Sequence, residues 1–201
     1  MTKTILAWID LETTGLKAES GRILEYAVVL TDLELNELAS LTNIIPQNVG
    51  VARTMMDDYV TEMHTSNGLL EELEAAEGNA PQYGDSIEEA DQTIAALLQR
   101  VTLMKATDPT DIIRVISGNT IGFDRLWIVK DMPILCNSLH YRQLDVSSYK
   151  VGFPELFGVA TSVAHRAMAD IRASIAQQER MRMIVTAGVK ALADKGVLLG
   201  V

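Results

Sequence analysis

Apolar residues fall in short, nearly continuous blocks along the first quarter of the chain. TILAWID (4–10) and RILEYAVVLT (22–31) are rich in Ile, Val and Leu, and LASLTNII (38–45) follows the turn-like LELNE. Blocks of this length with polar punctuation predict three consecutive strands in an antiparallel meander. Pro46 ends the third, having no N–H to give to a ladder. The spacing then turns helical in MMDDYVTEMH (55–64) and SNGLLEELEA (66–75), and AEGNAPQYGD (76–85) collects loop formers. The clearest helix is 86–104, where Ser86 and Glu89 form a capping box ahead of periodic Ile, Ala and Leu. IIRVISG (112–118) suits a buried strand. Residues 121–132 read as a helix stopping before Pro133, YRQLDV (141–146) as a strand, and 164–183 as a long helix with a further one over 184–196. This order predicts an α/β domain with a mixed sheet flanked by helices. Residues 1–183 make the domain and 184–201 a helical tail of it.

Composition narrows the class. The chain has 201 residues, 48% of them hydrophobic, enough for a single packed core. Cys136 is the only cysteine, so no internal disulfide forms, and a reducing, cytoplasmic setting is expected. No apolar run reaches the roughly 18 residues a membrane helix needs, and MTKTILAWIDLE lacks the long apolar region of a signal peptide. The net charge of −10, from 27 acids against 17 Lys plus Arg, argues against a broad groove tracking long nucleic acid. A short anionic substrate in a pocket remains compatible, because bound divalent cations reverse the local sign.

The candidate chemistry lies in three segments. Asp10 and Glu12 are two apart in IDLETTGL, so on a strand they share one face. Asp124 follows GNTIGF, near the start of a predicted helix. His165 and Asp170 lie in AHRAMAD, the histidine on an entering loop and the aspartate one turn inside the last long helix. Each alone is compatible with something ordinary: a solvated strand end, an acid at a helix N-terminus, a capping histidine. Together, four carboxylates can hold two divalent cations, and an imidazole can take the proton of an attacking water near neutral pH. Two such ions about 3.5–4 Å apart clamp both oxygens of a phosphoryl transfer.

These three segments resemble the Exo I, II and III motifs of the DEDD exonuclease superfamily, whose members have an RNase H-like fold and remove nucleotides from 3′ ends. The last motif has H-x4-D, with Arg166 at the position where a sister branch carries tyrosine, so the resemblance is to the DEDDh branch. MDDYVTEMHTSNGL (56–69), GNTIGFDRLWIVKDMP (118–133), HYRQLDVSS (140–148) and AHRAMADIRASI (164–175) are similar to oligoribonucleases, which degrade very short RNA, chiefly dinucleotides, to mononucleotides.

The resemblance implies roles. Asp10 bridges two cations, Mg²⁺ or Mn²⁺; Glu12 and Asp170 complete the first site and Asp124 supports the second. His165 deprotonates the attacking water. Leu16 wedges between two bases, Tyr59 stacks on one, and His64 contacts the substrate near the scissile phosphate. Thr120, Arg142 and Ser147 cap the 5′ phosphate of a short RNA oligonucleotide. Tyr141 reaches into a neighbouring subunit's site, which implies a homodimer. Read without the family, Tyr59 and Leu16 are candidate core residues, Arg142 a surface cation and His64 a helix-end cap. The chain departs from the family at Thr13 (usually Met), Tyr59 (Trp) and Thr120 (Ser), in the lengths of 76–85 and 151–163, and in the tail 184–201. Two other readings stand beside the exoribonuclease: a DEDDh exonuclease acting on DNA or on longer RNA 3′ ends, and a non-catalytic oligonucleotide-binding module.

Overall fold

The computed structural model describes residues 3–77, 86–105, 108, 111–156 and 165–197. Strands β1 (Lys3–Thr13), β2 (Ile23–Thr31) and β3 (Glu37–Ile44) form the expected meander. Beyond them lie α1 (Val49–Arg53), α2 (Asp58–Ser66), α3 (Leu69–Ala76), α4 (Ile87–Lys105), β4 (Ile112–Gly118), α5 (Gly122–Asp131), α6 (Pro133–Ser138), β5 (Gln143–Asp145), α7 (Ser147–Gly152) and α8 (Ala167–Asp194). The five strands form one mixed sheet in the order β3-β2-β1-β4-β5, antiparallel on the β3 side and parallel from β1 to β5.

β1 is the central strand, and its alternation builds two cores. Ile5, Ala7, Ile9 and Leu11 face one way, against Ala90, Ile94, Leu98 and Val101 of α4 and Trp127 and Ile128 of α5. Leu6 and Trp8 face the other way, against Ala167 and Ile171 of α8. Because both faces are covered, β1 and β2 read as continuous apolar runs. A third cluster packs α1 and α3 over the β2–β3 end, through Leu24, Ile44, Val49, Ala52, Leu69, Leu70 and Leu73.

The capping box at α4 forms as expected: Ser86 N–H donates to Glu89 Oε2 at 2.8 Å, and Glu89 N–H to Ser86 Oγ at 3.2 Å. Three short helices, α1, α6 and α7, were not expected. α6 starts on Pro133 and takes its cap from elsewhere, because Asp91 of α4 accepts the N–H groups of Ile134 and Leu135 at 3.0 and 2.7 Å. The separate helix expected over 184–196 is corrected as well: α8 runs unbroken to Asp194, as nothing between 183 and 194 breaks a helix except an exposed Gly188. Met181 is its last buried residue. The loop expected over 76–85, the segment 157–163 and residues 198–201 lie largely or wholly outside the described residues. Among the described residues, no helix is long and apolar enough to cross a membrane.

Candidate active site

The site lies at the C-terminal end of β1, where a parallel sheet offers a crevice. Asp10 and Glu12 continue the face of Leu6 and Trp8, so they emerge on the side that α8 covers. A register shift between Glu12 and Thr13 ends regular pairing with β2. Asp170, in the first turn of α8, comes down onto the same face. Carboxylate oxygens of Asp10, Glu12 and Asp170 all lie within 4.8 Å of one another.

Asp124 arrives from the other side of the sheet. The β1–β4 pairing ends at Trp8 and Ser117, so β1 runs on past its neighbour. Beyond that point Leu11 N–H is taken by Asp124 Oδ1 at 3.0 Å. Gly118 allows this approach: a Cβ there would stand 2.9 Å from Ile121 Cδ1 and 3.1 Å from the Ile9 carbonyl oxygen. The chain thus passes from β4 into α5 tight against β1. An open cleft of about 320 Å³ results, lined by Asp10, Glu12, Asp124, His165 and Asp170 together with Leu16, Asn119, Thr120 and Phe123. All five residues picked as metal ligands or base meet in it.

So many acids in one place resist ionising. Burial, then the charges of Asp170 and Glu25, push Asp10 up to about 7. Burial, then Asp10, Asp170 and Glu25, push Glu12 up to about 8, against a smaller opposing pull from Arg166. Asp124 is raised as well, by burial first and then by Asp10. A set of close carboxylates that hold protons when alone is a fitting donor set for hard divalent cations, whose charge would displace those protons. Asp10, Glu12, Asp170 and Asp124 can hold them.

Two non-glycine residues in the cleft have left-handed backbones, Thr120 at φ 59° and His165 at φ 48°. Such conformations persist where neighbours hold them, and they gather at functional sites. Thr120 is held by Asp145, whose Oδ1 accepts the N–H of Thr120 at 2.9 Å, the N–H of Ser147 at 2.9 Å and the hydroxyl of Ser147 at 2.6 Å. One carboxylate therefore brings together two of the three residues expected to cap a phosphate. The third, Arg142, is exposed, its guanidinium 5.6 Å from the Tyr141 ring centroid. Tyr141 is 74% exposed and stacks on His140 at 4.3 Å.

Leu16 and Tyr59 are not core residues, being 84% and 68% exposed. Leu16 stands between the carboxylate cleft and a second cavity of about 510 Å³ lined by Lys17, Thr54, Met55 and Asp57. His64 is a correction. Its side chain is 0% exposed, and Nε2 lies 3.0 Å from the Thr13 carbonyl oxygen. A ring with no open surface cannot lie against a substrate. It packs behind Glu12, with Nδ1 4.0 Å from Glu12 Oε2, and burial lowers its pKa, keeping it neutral. Four residues given no role also matter here: Asp145, Glu25, Arg166 and Asn67. Asp145 had a signal, since an Asp side chain favours accepting the backbone N–H two residues on, as it does here from Ser147. Glu25 had none, being one acid inside an apolar strand.

A family model described as an exonuclease, the RNase T family, matches residues 7–177. The oligoribonuclease of Leifsonia xyli subsp. xyli is 37% identical over 183 residues, covering 88% of this chain and 82% of its own. That of Tropheryma whipplei is 37% identical over 182 residues, covering 88% of this chain and 90% of its own. Among solved structures, exonuclease I of Methylocaldum szegediense superposes with a TM-score of 0.54 at 18% identity, over 90% of this chain and 40% of its own. Exonuclease I of E. coli bound to a dT13 oligonucleotide gives 0.53 at 18%, over 92% and 43%. The chain thus spans about two fifths of these neighbours' length, and they bear on the fold alone. With its sheet order, its four gathered carboxylates and these relatives, the chain belongs to the RNase T exonuclease family and, within it, to the oligoribonucleases.

Proposed function

We propose that the chain hydrolyses short oligoribonucleotides, dinucleotides above all, from the 3′ end to 5′ mononucleotides. The carrying observation is the meeting of three carboxylates within 4.8 Å in a cleft that also holds Asp124 and His165. Asp10, Glu12, Asp124 and Asp170 would hold two divalent cations, Mg²⁺ or Mn²⁺. When bound, these polarise the scissile phosphate and offset charge on the leaving 3′ oxygen. His165 takes the proton of the attacking water. Leu16, standing between two cavities, parts the two bases, and exposed Tyr59 offers a stacking face. Thr120 and Ser147, gathered by Asp145, close on the 5′ phosphate with Arg142. Tyr141 completes a second subunit's site in a homodimer, which is why so large a ring stands exposed. The setting is the cytoplasm. A net charge of −10 disfavours long polyanions and so favours short substrates.

The test is hydrolysis of 5′-phosphorylated RNAs, from the dinucleotide to progressively longer chains, with Mg²⁺ or Mn²⁺ and an Asp124→Ala control. Rapid cleavage of the dinucleotide, slowing with length and lost in the control, is the expected result. Equal cleavage of long RNA or of DNA would leave the metal chemistry standing and overturn the length limit. No cleavage with either cation would point to an oligonucleotide-binding module instead.

A further inference from the structure

His165 enters the cleft from the segment just before α8, and its backbone is held from two sides. On one side the Asn67 side-chain amide, at the α2–α3 junction, donates to the His165 carbonyl oxygen. The same amide is fixed at its other end, because Asn67 Oδ1 accepts Leu69 N–H at 3.0 Å. On the other side Arg166 grips Glu25 in the middle of the sheet, Nε at 3.1 Å and Nη2 at 2.9 Å on its two oxygens. Nη2 also reaches Glu72 Oε2 on α3 at 2.7 Å. Glu25 Oε2 in turn accepts Ala167 N–H at 3.1 Å, serving as the cap that α8 lacks from its own residues. Glu25 is itself the ladder partner of Glu12. The left-handed φ of 48° at His165 is therefore locked between a sheet residue and the α2–α3 turn.

We infer that Asn67 and Arg166 are positioning residues that hold the His165 backbone at the conformation which turns its ring into the cleft. This rests on the nuclease reading above. An L-residue at positive φ without such partners relaxes to a commoner conformation, and a base displaced by about 1 Å loses roughly a hundredfold in rate. Neither residue hydrogen-bonds the carboxylate cluster; Asn67 carries no charge and acts through His165, while the electrostatic pull of Arg166 on Glu12 is one that lysine at 166 retains. The two are independent handles: Asn67 grips the carbonyl directly, and Arg166 fixes the next residue.

The experiment compares wild type, Asn67→Ala, Arg166→Lys, His165→Ala and Asn67→Ala/His165→Ala in dinucleotide hydrolysis at saturating Mn²⁺, with the Mn²⁺ activation curve of each. Asn67→Ala is expected to lower kcat roughly ten- to hundredfold, with KM and the activation midpoint unchanged, and to cause no further loss once His165 is gone. Arg166→Lys keeps the charge but loses the fork on Glu25 and follows the same pattern. The chain has three histidines, so ring resonances are a second readout: Asn67→Ala should shift or broaden the His165 signal and leave His140 in place. Equal losses in the presence and absence of His165, a shifted Mn²⁺ midpoint, or an unmoved His165 resonance would overturn the inference. Wild-type protein inert with both cations would instead sink the nuclease reading, while the resonance test would still decide whether His165 is held.

Discussion

Asp124 Oδ1 accepts the N–H of Leu11 at 3.0 Å, so a carboxylate from α5 is tied to the backbone between Asp10 and Glu12 on β1. The same group is a strut as well as the proposed ligand. Asp124→Asn separates the two duties, since the amide oxygen still accepts from Leu11 while the charge is gone. Activity is expected to fall at least roughly a hundredfold, more than loss of an outer partner of a metal site costs. Stability without cations should hold or rise, because burial and Asp10 disfavour the ionised carboxylate. Dinucleotide hydrolysis and thermal melts in chelator check both halves.

The raised carboxyls make stability depend on pH. Asp10 and Glu12 titrate at about 7 and about 8 in the folded, cation-free protein, against 3.8 and 4.5 ordinarily. Between those values the folded state binds more protons than the unfolded one. Their stabilising contribution is complete below the ordinary carboxyl range and is lost as pH rises through about 7 to 8. In chelator, stability, and Tm with it, should fall from about pH 5 to about pH 8. Mn²⁺ or Mg²⁺ should remove the slope. A flat or rising Tm in chelator over that range would contradict this.

Asp91 offers a control away from the chemistry. It caps α6 through two N–H groups at 3.0 and 2.7 Å and is itself buried. Asp91→Ala should cost about 1.5–3 kcal/mol, the worth of hydrogen bonds to a charged group. Denaturant melts should show a lower midpoint at unchanged slope. Hydrolysis well below the melting range should keep its KM.

Leu16 and Tyr59 should behave in the opposite way. Being exposed, they lose little stability on truncation, within about 0.5 kcal/mol. Tyr59→Ala removes a stacking face worth about 1–3 kcal/mol per base, so KM should rise about tenfold or more. A fall in Tm with no change in KM would show both to be packing residues.

Much of this was legible because two kinds of signal are local. Strand β1 announces itself by its apolar run, and two acids at its end are visible as acids on one face. The capping box at Ser86 is likewise a short-range pattern. The family's spaced motifs supplied what locality cannot, namely that Asp124 and Asp170 belong beside Asp10. What stayed hidden depends on contacts across the chain. α6 is six residues long and owes its cap to Asp91, 43 residues earlier in the chain for Ile134. Glu25 reads as an interruption in an apolar strand until Arg166, 141 residues later, folds onto it. His64 looked like a helix-end cap or a substrate contact, and only burial reveals it as packing behind Glu12.

The carboxylates that close the cleft come from β1, α5 and α8, at positions 10, 12, 124 and 170. A ribosome that has finished Asp124 has still not made the last of them. A proteolytic cut anywhere between Glu12 and Asp170 that lets the pieces part separates them again. A partial chain, nascent or degraded, therefore carries only part of the carboxylate set, which is assembled only while residues 10 to 170 stay together.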